Sequence, residues 1–275
     1  MRTIPLSLLG IALLFTACSK DKNENVNPGT NINTPAGDIA YVSTVASTSD
    51  SVVFKYNSDM TLQHVLSLQL SANDNTILNG MSWFPHYESG LPAAFYVTTN
   101  WQSGNTGTPG NTFIYNSAKQ LVKVVYSPDN LDSLVYNSKG QLTTIHYLSS
   151  SEENYRTTIT YENNNPVKRK DTNIDAGRET SDSLVITYKY DNKKSAYQGV
   201  HLVPVLQEDL YFYLAENNPV ERKIVAYNNG AVQSTKQYTF DYVYNAQNYP
   251  VSYTRTQSGD VVPGTEQFRI TYLQQ

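Results

Sequence analysis

Leu134-Val135-Tyr136-Asn137-Ser138-Lys139-Gly140-Gln141-Leu142-Thr143-Thr144-Ile145 is the stretch on which the fold turns. A run of β-formers ends on a tyrosine. Asparagine then opens a turn by hydrogen bonding its own backbone, glycine takes the positive φ, and a second run restarts on an aliphatic residue. The pattern is a hairpin. The same tyrosine-plus-Asn/Asp pair recurs at Tyr56-Asn57, Tyr115-Asn116, Tyr190-Asp191, Tyr227-Asn228 and Tyr244-Asn245, with Tyr161-Glu162 as a degenerate copy. An apolar residue usually stands two positions before the tyrosine (Phe54, Phe113, Leu134, Ile159, Tyr242), and another returns six after it (Leu62, Leu121, Leu142, Val167). A variant places proline at the restart, at Asn165-Pro166-Val167, Asn218-Pro219-Val220 and Tyr249-Pro250-Val251, where the first residue of a strand need not donate to the ladder.

Outward from these units, the chain reads as all-β: an antiparallel meander of many hairpins, forming a curled sheet or a barrel, over a single domain of residues 38–275. One interruption has helical spacing. Pro204 near the start, Glu208 and Asp209 in the first turn and apolar residues at 206, 210, 213 and 214 predict a short helix near 205–214, stopped by Asn217-Asn218-Pro219. Charges crowd the candidate strands, as in Val167-Lys168-Arg169-Lys170-Asp171, so a soluble barrel is expected rather than a membrane-spanning one with an apolar outer band.

Ahead of the domain, Met1-Arg2 and the apolar run Ile4 to Thr16 form a signal-peptide pattern over 1–17, too short for the roughly 20 residues of a membrane-spanning helix. Phe15-Thr16-Ala17-Cys18 resembles the lipobox of bacterial lipoproteins, which implies lipidation of Cys18. The charged run Ser19 to Glu24 resembles the export tag of Bacteroidetes surface lipoproteins. Residues 18–37 then read as the lipidated cysteine and a flexible tether rich in Asn, Thr, Pro and Gly.

Taken together, the lipobox and the Asn-Asn-Pro-Val-containing segments make 38–275 similar to a Bacteroidetes surface lipoprotein family of unknown function with a porin-like β fold. The Tyr-Asn-x-x-Gly-x-Leu core also resembles the tyrosine-aspartate repeats of Rhs-type shells. The resemblance implies an outer-membrane location through the lipid anchor, facing the cell surface, and supplies no chemistry.

Composition narrows the partners. The 275 residues hold 20 Lys+Arg against 24 Asp+Glu, a net charge of −4 that gives no electrostatic reason to expect nucleic acid. One cysteine excludes an internal disulfide and a multi-cysteine zinc site. Only 39% of residues are hydrophobic with tyrosine included; counting glycine in place of tyrosine gives about 36%, against about 45–50% in an average domain, and the 22 tyrosines offset part of that difference.

No catalytic arrangement emerges, and a non-enzymatic role without a cofactor or metal is expected. Gly80-Met81-Ser82-Trp83-Phe84 lacks the second glycine of a nucleophile elbow. His64, His86, His146 and His201 have no metal-site spacing, and His64 and His146 read as surface or cross-strand residues. Asp171 to Asp182 places oxygens at alternate positions, yet its glycine and last acid do not match a calcium loop, so it reads as an acidic hairpin. Both tryptophans lie in aromatic clusters at 83–87 and 95–101. These rings are expected to fill the core. Should the protein bind a sugar, Trp83, Tyr87, Asn100 and Trp101 form the candidate platform of ring faces beside amides. The expected role is a binding or structural module for carbohydrate or another envelope ligand. The alternatives are an accessory subunit of an outer-membrane complex and a surface glycoside hydrolase.

Overall fold

In the computed structural model, the described residues are 39–71, 76–99, 108–200 and 213–273. They form sixteen antiparallel strands in a closed barrel whose order follows the sequence: β1(Val42–Ala46) β2(Asp50–Tyr56) β3(Leu62–Leu70) β4(Ile77–Glu88) β5(Leu91–Thr98) β6(Thr108–Tyr115) β7(Leu121–Ser127) β8(Asn130–Tyr136) β9(Leu142–Ser149) β10(Glu152–Glu162) β11(Asn165–Asp175) β12(Arg178–Lys194) β13(Asn217–Asn228) β14(Ala231–Tyr244) β15(Pro250–Gly259) β16(Gly264–Tyr272). The expected all-β meander is therefore a closed barrel. β1 seals it against β16, with Val42 opposite Tyr272 and Val45 opposite Ile270.

Alternation along each strand sorts the side chains between lumen and outer wall. Buried residues meet one another across the ladders: Phe54 opposite Val65, Phe113 opposite Val124, Leu134 opposite Ile145, and Tyr253 opposite Phe268. These point inward. Their strand neighbours Lys55, Lys123 and Arg269 are exposed, as are Lys168, Lys189, Lys223 and Asp241. The outer wall is thus charged in mid-strand, and the lumen holds the core.

Two inner clusters make up most of that core. One joins Val42, Phe54, Val65, Phe240, Tyr253, Phe268 and Ile270, and the other joins Phe95, Phe113, Leu134, Leu142, Ile145 and Ile159. Trp83 packs against both.

The hairpins explain the tyrosines. Register slips by one residue at Tyr56, Tyr87, Tyr115, Tyr136, Tyr161, Tyr190 and Tyr244, which end β2, β4, β6, β8, β10, β12 and β14 or lie near those ends. Such bulges occur at barrel rims, where they bend the strand and re-aim its side chain. Four turns share one bonding scheme: the amides of Asn57, Asn116, Asn137 and Asn245 donate to the carbonyls of Thr61, Gln120, Gln141 and Tyr249. The residue three beyond each asparagine, Met60, Lys119, Gly140 or Asn248, has positive φ. Ser89-Gly90, Ser150-Ser151, Asn163-Asn164, Ala176-Gly177 and Asn229-Gly230 instead make two-residue loops with positive φ at both positions, as type I′ hairpins require.

One connection is long. The segment from Ser195 to Glu216 leaves β12 at the tyrosine-bearing rim, and its described parts lie across that mouth. Ala196 and Val200 pack into the cluster of Val42 and Phe54, while Leu214 packs on the opposite cluster of Leu134 and Leu142. The predicted helix near 205–214 falls mostly on 201–212, outside the described residues; Tyr213 and Leu214 have helical backbone.

Candidate functional site

Two polar features stand out against this apolar interior. The first is a belt on the inner wall of β7–β11. Asp132 sits opposite Tyr147, which sits opposite Tyr155; one row nearer the tyrosine rim, Thr157 sits opposite Asp171. The Tyr126 hydroxyl donates to Asp132 Oδ2 at 2.7 Å, and the Thr157 hydroxyl donates to Asp171 Oδ1, also at 2.7 Å. Arg169 Nε donates to the same Asp171 oxygen at 2.8 Å, from a side chain only 13% exposed beside a carboxylate 1% exposed.

Burial sets the protonation of this belt. Desolvation pushes the Asp132 carboxyl up to about 6, only partly opposed by the Tyr126 hydrogen bond. It also pushes Tyr147 up to about 12, so this phenol stays protonated and neutral. Burial by itself would lower Arg169, but the adjacent Asp171 carboxylate more than offsets that and holds the guanidinium firmly charged.

The second feature is a cavity of about 420 Å³ under the cap at the tyrosine rim. Its rings and aliphatic groups come from Tyr136, Leu142, Tyr161, Tyr197, Tyr213 and Leu214. Gln141, Asn164, Gln198 and Glu216 supply its polar edge. These groups are tied together. Asn137 Nδ2 donates to Gln141 Oε1 at 2.9 Å, Gln141 Nε2 donates to Asn164 Oδ1 at 3.2 Å, and Asn164 Nδ2 donates to Glu216 Oε2 at 3.1 Å. Burial pushes the Tyr136 hydroxyl up to about 12.

The cap is fixed by side-chain amides. Asn165 Oδ1 accepts from the backbone of both Glu216 and Asn217 at 3.0 Å. Asn218 Oδ1 accepts from the Ala196 amide at 3.2 Å, and its Nδ2 donates to the Lys194 carbonyl at 2.9 Å. Thus Asn217-Asn218-Pro219, read as a helix stop, anchors the cap's return into β13.

The residues singled out from sequence are scattered relative to these features. Trp83, half-buried on β4, lies between the two core clusters. Tyr87, near the end of β4, donates its hydroxyl to the Leu62 carbonyl at 2.8 Å. Asn100, Trp101 and Cys18 lie outside the described residues, as do 1–17 and the rest of the tether. His64 stacks on Phe84 with ring centroids 4.3 Å apart, and burial, with Lys55 nearby, lowers its pKa and favours the neutral ring. His146 Nδ1 lies 2.6 Å from Glu153, whose other oxygen meets Arg156 at 2.5 Å; Arg156 in turn reaches Glu179.

The acidic stretch from Asp171 is a hairpin in which Asp171 turns inward and Asp175 pairs with Arg178 at the turn. Among the described residues, no group of three His, Cys, Asp or Glu side chains is placed to hold a metal ion.

Sequence reasoning missed the lumenal belt and the rim cavity. Its signal for the belt was the period of two: in Lys168-Arg169-Lys170-Asp171, alternate positions take opposite walls. The cavity joins residues distant in the chain and had no local signature.

No protein-family model and no curated protein matches the chain. Among solved structures, it is similar to a porin-like protein from Bacteroides uniformis ATCC 8492, with a TM-score of 0.50 and 14% identity over 84% of this chain and 95% of that one. A porin-like protein from Bacteroides vulgatus ATCC 8482 aligns with a TM-score of 0.36 and 9% identity, over 86% of this chain and all of that one. The likeness to the first is one of architecture: the chain has a porin-like β-barrel fold.

Proposed function

We propose that this protein is a lipid-anchored envelope protein whose capped barrel acts as a binding module, not as an open channel. The observation that carries this reading is the lined cavity at the tyrosine-bearing mouth, walled in part by the described ends of the connection, where Tyr197, Val200 and Tyr213 pack on one lumenal cluster and Leu214 on the other. A channel needs a through-passage, whereas a ligand site needs a concave pocket with a few fixed polar groups.

Outer-wall chemistry argues the same way. Lysines 55, 123, 168, 189 and 223 are exposed on strands, and a lysine or arginine facing lipid costs about 2–4 kcal/mol at the bilayer midplane. A barrel held at the membrane by lipid on Cys18, through a tether over 18–37, fits such a wall better than one immersed in the bilayer. The sequence pattern around Cys18 supports the anchor, and the outer membrane, with outward display, is the location this reading assigns.

Two measurements test it. Cys18→Ala should release the protein from the outer-membrane fraction; retention there would end the anchoring claim. The 38–275 fragment should purify without detergent, stay silent in planar bilayers, and retain an envelope component in a pull-down. Stepwise conductance would make it a channel.

A further inference from the structure

We propose that the rim cavity beneath the cap is a binding site for a neutral mono- or disaccharide. This rests on the binding-module reading and gives it a site and a ligand class. At about 420 Å³, the cavity falls within the roughly 300–1,000 Å³ of small-molecule sites.

Its lining has two chemistries. Tyr136, Tyr161 and Tyr213 present ring surface, supplemented by Leu142 and Leu214. The C–H face of a pyranose packs on such surfaces, and a flat aromatic does so with little conformational entropy to lose. Along the edge runs the chain of bonds from Asn137 through Gln141 and Asn164 to Glu216.

That chain determines what can dock. Each amide nitrogen has two hydrogens and each amide oxygen two lone pairs. Gln141 and Asn164 each spend one nitrogen hydrogen on the next member, leaving one hydrogen apiece to donate outward. Glu216 offers only acceptors. A ligand that meets this edge must both donate and accept at closely spaced points, which is what vicinal hydroxyls do. The groups are already oriented by one another, so little ordering remains to be done on binding.

Charge supplies the selectivity. Among the described residues, Glu216 is the single carboxylate lining the cavity, and no lysine, arginine or histidine lines it. A uronic acid or sialic acid would meet repulsion without a compensating cation. A neutral sugar meets none.

The test uses the purified protein with cellobiose, maltose and N,N′-diacetylchitobiose as neutral probes and digalacturonate as the anionic one, read by saturation-transfer NMR and calorimetry. At least one neutral probe should bind, with digalacturonate weaker. The double variant Gln141→Ala/Asn164→Gly should weaken that binding about tenfold, the size expected from losing hydrogen-bond partners. Glycine keeps the positive φ of Asn164, so the unfolding midpoint should hold. Glu216→Gln, which preserves the acceptor to Asn164, should narrow the gap between neutral and anionic probes.

Neutral binding that the double variant leaves unchanged would overturn the site while sparing the binding-module reading. Failure of all three neutral probes, or equal binding of digalacturonate, would overturn the ligand class; the pull-down separately decides whether the protein binds anything.

Discussion

The Tyr136 hydroxyl at the end of β8 donates to the carbonyl of Leu121 at the start of β7, 2.8 Å away, and so ties one hairpin to the next. The arrangement recurs around the rim: Tyr56 reaches Val42, Tyr87 reaches Leu62, Tyr115 reaches Pro92, Tyr190 reaches Pro166 and Tyr272 reaches Pro250, at 2.7–2.9 Å. Tyr244 departs from the pattern and donates to Asp191. Consecutive hairpins are thus stapled by side chains as well as by the ladder.

Tyr136→Phe keeps the ring and removes only the staple. It should destabilise the barrel by about 1 kcal/mol, whereas Tyr136→Ala should cost about 3–5 kcal/mol by also emptying ring volume. Urea unfolding of the two variants separates hydrogen bond from packing; an unchanged Tyr136→Phe would mean that the hydroxyl contributes nothing, and equal losses that the ring contributes nothing beyond it.

Gly259 and Gly90 both have positive φ, 98° and 78°, but a side chain at Gly259 would strike the Thr235 carbonyl, while one at Gly90 meets open space. Gly90→Ala should cost only the left-handed backbone penalty, about 1–2 kcal/mol. Gly259→Ala should cost more than that, because a backbone carbonyl has to move. Thermal unfolding ranks them.

Asp132 gives a pH signature. Burial raises its folded-state value to about 6 from an ordinary 3.8, so the native state holds the proton more tightly than the unfolded chain. Its contribution is complete below pH about 4 and is lost as pH rises toward 6, by at most about 3 kcal/mol. Asp132→Asn keeps an acceptor for Tyr126 and does not titrate. The stability difference, variant minus wild type, should grow between pH 4 and 6 and then level off in urea titrations; a flat difference would place Asp132 in a more hydrated setting.

Asp171→Asn removes the charge facing Arg169 in a site where that arginine is largely buried. Losing that counter-charge should cost about 3–5 kcal/mol. The double replacement Arg169→Met/Asp171→Leu should recover most of the loss, since a buried ion pair is often matched by well-packed apolar groups. Chemical denaturation of wild type and the two variants measures the loss and its recovery; a double variant no more stable than Asp171→Asn would contradict this account.

The hairpin was legible in Leu134 to Ile145 because its causes are local: the asparagine, the glycine with positive φ and the aliphatic restart act within a dozen residues. Closure was not, since Val42 and Tyr272 pair across almost the whole chain and neither carries a mark of the other. The charges at 168–171 were visible, but their division between walls depends on register, which turn geometry and bulges set. Likewise, Gln141, Asn164 and Glu216 each look like ordinary turn residues until the barrel brings three loops to one rim.

Closure by the first and last strands imposes an order on assembly. Until β16 arrives, β1 has one unpaired edge, and β15 has the other. A nascent or C-terminally shortened chain therefore exposes two sticky edges at once. The Leu273 amide bonding the Tyr41 carbonyl at 2.9 Å lies at that seam, so the arrival of the last barrel strand is what ends the sheet's vulnerability to pairing with a neighbour.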